Sequence, residues 1–112
     1  MGWPFYFVRM LHLTFRRVRD EAALRAWMAE LGQRADEVRA TFHQEGVRHE
    51  QAFLVSTVDG PLLIYAHEVA DPEAAHAAYA QSSLPIDAEH RQRMAAALAE
   101  AVEPELLYDV SA

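Results

Sequence analysis

Along residues 11–18 apolar and polar side chains alternate, with Leu11, Leu13 and Phe15 on one side and His12, Thr14 and Arg16 on the other. A period of two predicts a strand, and the apolar residues upstream allow it to begin as early as Phe5. The period then changes. Leu24, Met28, Leu31, Ala35, Val38 and Phe42 recur at spacings of four, three, four, three and four, which is one continuous apolar stripe along a long helix. Asp20 stands at the N-cap, Glu21 lies near the positive end of the helix dipole, and Gly46 supplies the left-handed residue that ends helices. Trp27 flanks the stripe. Gly32 sits in mid-helix at a cost of about 1 kcal/mol relative to Ala, which points to a close backbone approach or a slight kink.

Two strands follow, over 47–58 and 62–69, joined by Asp59-Gly60-Pro61, and Asp-Gly between apolar runs is a hairpin signal. Asp71-Pro72-Glu73 opens a short helix that ends near Gln81, with a cap, a proline at the first position and an acid in the first turn. Asp87 then caps a third helix that turns Met94, Leu98 and Val102 inward. Pro104 ends it, and residues 106–110 form the last strand. The order β-α-β-β-α-β, with an extra helix before the last strand, predicts an α+β ferredoxin-like fold: a four-stranded antiparallel sheet with helices on one face. Residues 1–10 read as an extension and 11–112 as the single domain.

With Val58 placed opposite Pro61, one face of the hairpin holds His49, Gln51, Phe53, Val55, Leu62, Ile64, Ala66 and Glu68. The other holds Glu50, Ala52, Leu54, Ser56, Leu63, Tyr65, His67 and Val69. Both faces are largely apolar, whereas a sheet with one wet face alternates cleanly. Helices cover one side, and the simplest cover for the second is another copy of the chain, sheet against sheet across a two-fold axis. A monomer with a partly polar open sheet is the alternative.

Composition narrows the chemistry. The 112 residues, 52% hydrophobic and 24% charged, suit one globular domain and exclude a disordered chain. Cysteine, lysine and asparagine are absent, and all ten cationic side chains are arginine. Disulfides, thiolate nucleophiles, zinc-thiolate sites and lysine Schiff bases are therefore excluded. A GC-rich genome that writes Arg for Lys is the plain explanation of the bias. A net charge of −7 argues against nucleic acid. No apolar run approaches the ~20 residues that cross a bilayer. Residues 1–8 lack a basic start and a small-residue cleavage site, so they do not read as a signal peptide. Met10 is an alternative start that would make residues 1–9 a dispensable extension. The default location is cytoplasmic.

The order and length resemble the dimeric α/β-barrel superfamily that includes the antibiotic-biosynthesis monooxygenases. Within it the chain is similar to a small bacterial family with a fold but no established activity. The matching stretches are Glu45-Gly46 followed by Glu50 and Phe53, and Ser83-Leu84-Pro85-Ile86-Asp87-Ala88-Glu89-His90. The resemblance covers most of the chain from Leu11 onward. It implies a homodimer and, in members of that kind, oxidation of aromatic substrates without metal or organic cofactor. Haem-degrading relatives rely on an Asn that this chain lacks.

Two acid–histidine constellations could carry proton transfer. If Asp87 is the cap, His90 is the third helical residue, and the carboxylate would orient the imidazole and favour its charged form. An ordinary helix start, for which Asp is preferred regardless of function, is the competing reading. Glu50 and His67 are diagonal neighbours in the register above and would form an acid–base couple. Their competing reading is a polar pair at the rim of the dimer interface, satisfied by itself or by an Arg48 from the second copy. The resemblance adds weight to Glu50 and none to His67. His49 and Glu68 make a similar diagonal pair on the opposite face, but the spacing carries no metal-ligand signature and no metal is expected. His43 and His76 read as solvent-facing. Tyr65, Tyr79, Tyr108 and Trp27 would line any cavity between helices and sheet, with Ser83 at its edge, although aromatics there more often form core.

No phosphate-cradling glycine loop, serine elbow or dinucleotide fingerprint is present, so no cofactor is expected. Two functions follow. One is a non-catalytic ligand-binding or interaction dimer, which predicts a filled interior with its polar pairs serving the interface. The other is a cofactor-independent, monooxygenase-like enzyme acting on a small organic molecule, which requires a cavity touching at least one acid–histidine pair.

Overall fold

In the computed structural model, which describes residues 10–112, eight elements follow in chain order. They are β1 (Met10–Val18), α1 (Glu21–Gln33), α2 (Ala35–Glu45), β2 (Val47–Thr57), β3 (Gly60–Val69), α3 (Pro72–Ala80), α4 (Pro85–Ala97) and β4 (Leu98–Val102). The strands form one open antiparallel sheet in the order β2-β3-β1-β4. This α+β architecture is compatible with a ferredoxin-like arrangement. The early strand start at Phe5 and the extension over 1–9 lie outside the described residues.

The single long helix is corrected to two. Arg34, at φ −117 and ψ 40, leaves the helical region between α1 and α2. Its guanidinium takes Glu30 of α1 at 2.7 Å, Glu37 of α2 at 2.8 Å and Glu89 of α4 at 2.6 Å, so the break is held from three helices. The bend lets α1 pack on α4 while α2 reaches α3 and β2. The close backbone approach expected at Gly32 is not found: among the described residues a methyl group placed there would meet nothing within 4 Å. The caps at Asp20 and Asp71 form as expected, each accepting from the backbone N–H three residues on. Gly46 ends α2 in the left-handed region at φ 77.

In the hairpin Ser56 faces Pro61 and Thr57 faces Gly60, so the turn residues are Val58 and Asp59, and Gly60 adopts φ 104. The register lies two residues from the expected one. Because side chains alternate with period two, both faces keep their membership, but Glu50 comes to stand directly opposite His67. A bulge between Val47 and His49 ends the regular pairing.

The C-terminal third differs most from expectation. The helix α4 starts at Pro85 with Leu84 as N-cap, so Asp87 is not the cap. It stops at Ala97, and Leu98–Val102 is the last strand rather than residues 106–110. Buried Ala97 and Leu98 join the core, the carbonyl of Ala97 accepts from the N–H groups of Arg19 and Asp20, and Arg16 of β1 clasps the carbonyl of Ala99 at 2.9 Å. The place beside β1 is thereby filled, and Leu106, Leu107, Tyr108 and Val110 stay exposed.

Leu24, Leu63, Tyr65, Ala97 and Leu98 form the buried core, with Val18, Ala23, Met28, Leu54 and Met94 packed around it. The alternation of β1 is oriented against simple expectation. In its register with β3, Leu13 and Phe15 share the open face with Phe53, Val55 and Ile64, while His12, Thr14 and Arg16 line up beside His67, Tyr65 and Leu63 under the helices. On the open face Leu11 is 72% exposed and Phe53 is 47% exposed. The polar edge of the strand therefore faces the helices, with Thr14 and Arg16 half-buried and His12 exposed.

Candidate functional site

That inward polar edge floors a chamber of about 690 Å³ between helices and sheet, within the usual size range of small-molecule sites. Thr14, Glu50, Tyr65 and His67 form its floor, Thr41, Phe42 and Glu45 of α2 one wall, and Tyr79, Asp87 and His90 of α3 and α4 the rest. The core stripe explains the space. Leu31, Val38 and Phe42 are only half-buried and border the chamber instead of filling it.

Direct cross-strand pairing brings His67 Nε2 to 2.7 Å from Glu50 Oε2. The His67 ring stacks on Tyr65 at 5.4 Å between centroids, which fixes the imidazole from a second direction. Tyr65 is 9% exposed, and its hydroxyl has no hydrogen-bond partner among the described residues. Burial, with Glu50 nearby, pushes the Tyr65 phenol well above its ordinary range, so it stays a neutral donor and acceptor.

The expected Asp87–His90 pair does not form. With α4 beginning at Pro85, Asp87 turns into the interior and accepts from Thr41 Oγ1 at 2.7 Å and Ser82 Oγ at 2.5 Å. His90 instead accepts at Nδ1 from the Trp27 indole N–H at 2.8 Å. That bond leaves the ring proton of neutral His90 on Nε2. Burial lowers the His90 pKa against the opposing pull of Glu50 and Asp87, the reverse of the charged form expected from a capping carboxylate.

Sequence reasoning missed Glu45 and Thr41. Burial pushes Glu45 up to about 7, with Asp87 and Glu50 adding to the rise and Thr41 and His67 opposing it. The Thr41 hydroxyl has one proton and two carboxyl groups in reach, Asp87 at 2.7 Å and Glu45 at 3.2 Å. Glu45 is therefore the less well supported as an anion. The signal was present: Thr41 and Glu45 follow Val38 at spacings of three and four, continuing the inward stripe with polar residues.

Other expected residues divide. Tyr79 lines the chamber, with burial pushing its phenol up to about 12. Trp27 is 1% exposed and stands behind His90. Ser83 is exposed, and its neighbour Ser82 makes the contact with Asp87. Tyr108 is 80% exposed and lines nothing. His43 is exposed, as read, whereas His76 is exposed yet sits at the chamber's edge. On the open face Glu68 takes Arg48 at 3.6 Å. Among the described residues no group of three or more His, Asp or Glu is placed to hold a metal ion, and no helix is long and apolar enough to cross a membrane.

Chemically, the chamber offers a histidine–carboxylate couple, a neutral imidazole N–H donor and a carboxyl group that exchanges its proton near neutral pH. Aromatic and aliphatic walls surround them. No curated protein and no solved structure matches the chain. A family model spans residues 11–112, and the chain belongs to that family, DUF6176, a family of unknown function.

Proposed function

We propose that this chain is a homodimeric, ferredoxin-like protein that binds a small organic molecule in the chamber of each subunit. The observation that carries this reading is the chamber itself. Both acid–histidine constellations, which the sequence puts on different elements, line one cavity of about 690 Å³. A purely interfacial role predicts a filled interior instead. The dimer is supported by the open sheet face, where Leu11, Leu13, Phe53 and Val55 are all more than a third exposed. Contiguous apolar surface of this kind is uncommon on monomers.

A second reading, proton-transfer catalysis on the bound molecule, is favoured by the contact of His67 with Glu50 at 2.7 Å and by Glu45, held near 7, in the same space. A carboxyl group that titrates near neutral pH beside a histidine–carboxylate contact is what general acid–base chemistry needs. The monooxygenase-like activity implied by the resemblance would use this chamber.

Glu50→Gln tests the assignment with 1-naphthylmethanol as probe, the Trp27 indole N–H resonance as reporter and sedimentation for assembly. The expected result is an intact dimer with weakened probe binding. A dissociated dimer that still binds the probe would return Glu50 to the interface reading.

A further inference from the structure

The charge balance inside the chamber points to the class of its ligand, an inference that rests on the chamber being a binding site. Glu45, Glu50 and Asp87 all face the space. Their possible counter-charges are few. Among the described residues Arg16 is the only arginine on the walls, and its Nε and Nη2 are committed to the carbonyl of Ala99. It also lies four residues along β1 from His12, the partner of His67, roughly 13 Å at strand rise. His67 is engaged by Glu50, His90 is a neutral donor, and His12 and His76 border the space only from exposed positions. Among the described residues Glu45 and Asp87 thus have hydroxyl contacts but no cationic side chain.

A second observation points the same way. The Tyr65 hydroxyl, on a side chain nine-tenths buried at the chamber floor, has no partner among the described residues. A buried polar group left in that state costs free energy that a ligand donor recovers.

We propose that the ligand carries a protonated amine on an apolar body about the size of a bicyclic aromatic, with the ammonium among Glu45, Asp87, Glu50 and the Tyr65 hydroxyl. An ammonium has three N–H donors and no acceptor, which suits a region furnished with carboxyl oxygens and a spare phenol oxygen. Phe42 lines the same space as an aromatic neighbour for the cation, while the Tyr79 ring already carries Arg91 at 5.1 Å, and Leu31, Val38 and Ile86 receive the apolar body. Asp87 and Glu50 both resist ionisation of Glu45, and a cation placed between them removes that resistance.

The test compares 1-naphthylmethylamine, 1-naphthylmethanol and 1-naphthoate, isosteric probes that differ in charge, by titration at pH 7. The readout is the Trp27 indole N–H, one of only two indole signals in the chain. The amine is expected to bind about tenfold or more tighter than the alcohol, as one charge-assisted contact allows, and the naphthoate more weakly than either. Glu45→Gln is expected to shrink the amine-over-alcohol ratio about tenfold by the same reasoning. Alcohol or naphthoate binding as tightly as the amine overturns the ligand class and leaves the chamber as a site. An unchanged ratio in Glu45→Gln also overturns it. If no probe moves the Trp27 signal, the chamber reading falls together with the ligand class.

Discussion

The indole N–H of Trp27 donates to Nδ1 of His90 at 2.8 Å, tying α1 to α4 and settling which nitrogen of the histidine keeps its proton. Arg34 and Arg93 lie over the Trp27 ring at 5.9 and 5.3 Å, so the indole is held on its faces as well as through its nitrogen. Trp27 thereby positions a chamber residue without lining the chamber.

Trp27→Phe keeps most of the apolar packing and removes the donor. A buried acceptor left unpaired costs about 1–3 kcal/mol. Urea denaturation should show a loss of that order, and a variant as stable as the parent would show that the bond contributes nothing.

Two groups should give stability slopes of opposite sign with pH. Glu45 is raised from 4.5 to about 7 in the folded state, so between those values the unfolded chain releases a proton that the folded chain keeps. Its contribution to stability therefore falls as pH rises from about 4.5 to about 7. His90 is lowered from 6.5. The unfolded chain binds a proton first, so its contribution falls as pH drops below 6.5. Urea midpoints across this range should lose the first slope in Glu45→Gln and the second in His90→Phe. Parent-like slopes in both variants would contradict the assignments.

Phe53, 47% exposed on the open face, should accept Glu without loss of the subunit fold but with loss of assembly. Sedimentation should give the parent at about twice 12.7 kDa and Phe53→Glu near 12.7 kDa. A parent that sediments as a single chain at micromolar concentration would remove the dimer from the proposal.

Arg34→Ala should lower the melting temperature, because one guanidinium serves Glu30, Glu37 and Glu89 at the helix break. Arg34→Lys should restore it only in part, since an ammonium cannot reproduce the planar fork. Full rescue by lysine would mean that charge alone matters at the break.

The element types were legible where a single period ran through many residues, as in β1, the hairpin and the stripe from Leu24 to Phe42. What the pattern could not show was the break at Arg34, one of whose three carboxylate partners is Glu89, 55 residues away. The last strand was misplaced for a related reason. Residues 106–110 carry strand-like apolar content, but the position beside β1 goes to Leu98–Val102, which Arg16 and the Ala97 carbonyl hold there. Within the site, Glu50 and His67 were readable because period two survives a register shift. Asp87 and His90 were found as residues but paired wrongly, since a helix start three positions earlier redirects both side chains.

The most direct test of the chamber as a ligand site is a diffraction map from crystals grown with 1-naphthylmethylamine. The ring is expected between α2 and the sheet, beside Phe42 and Tyr79, with the amine within hydrogen-bonding distance of Glu45 or Asp87. Density for the probe only on the open sheet face, with the chamber closed by its own side chains, would contradict it.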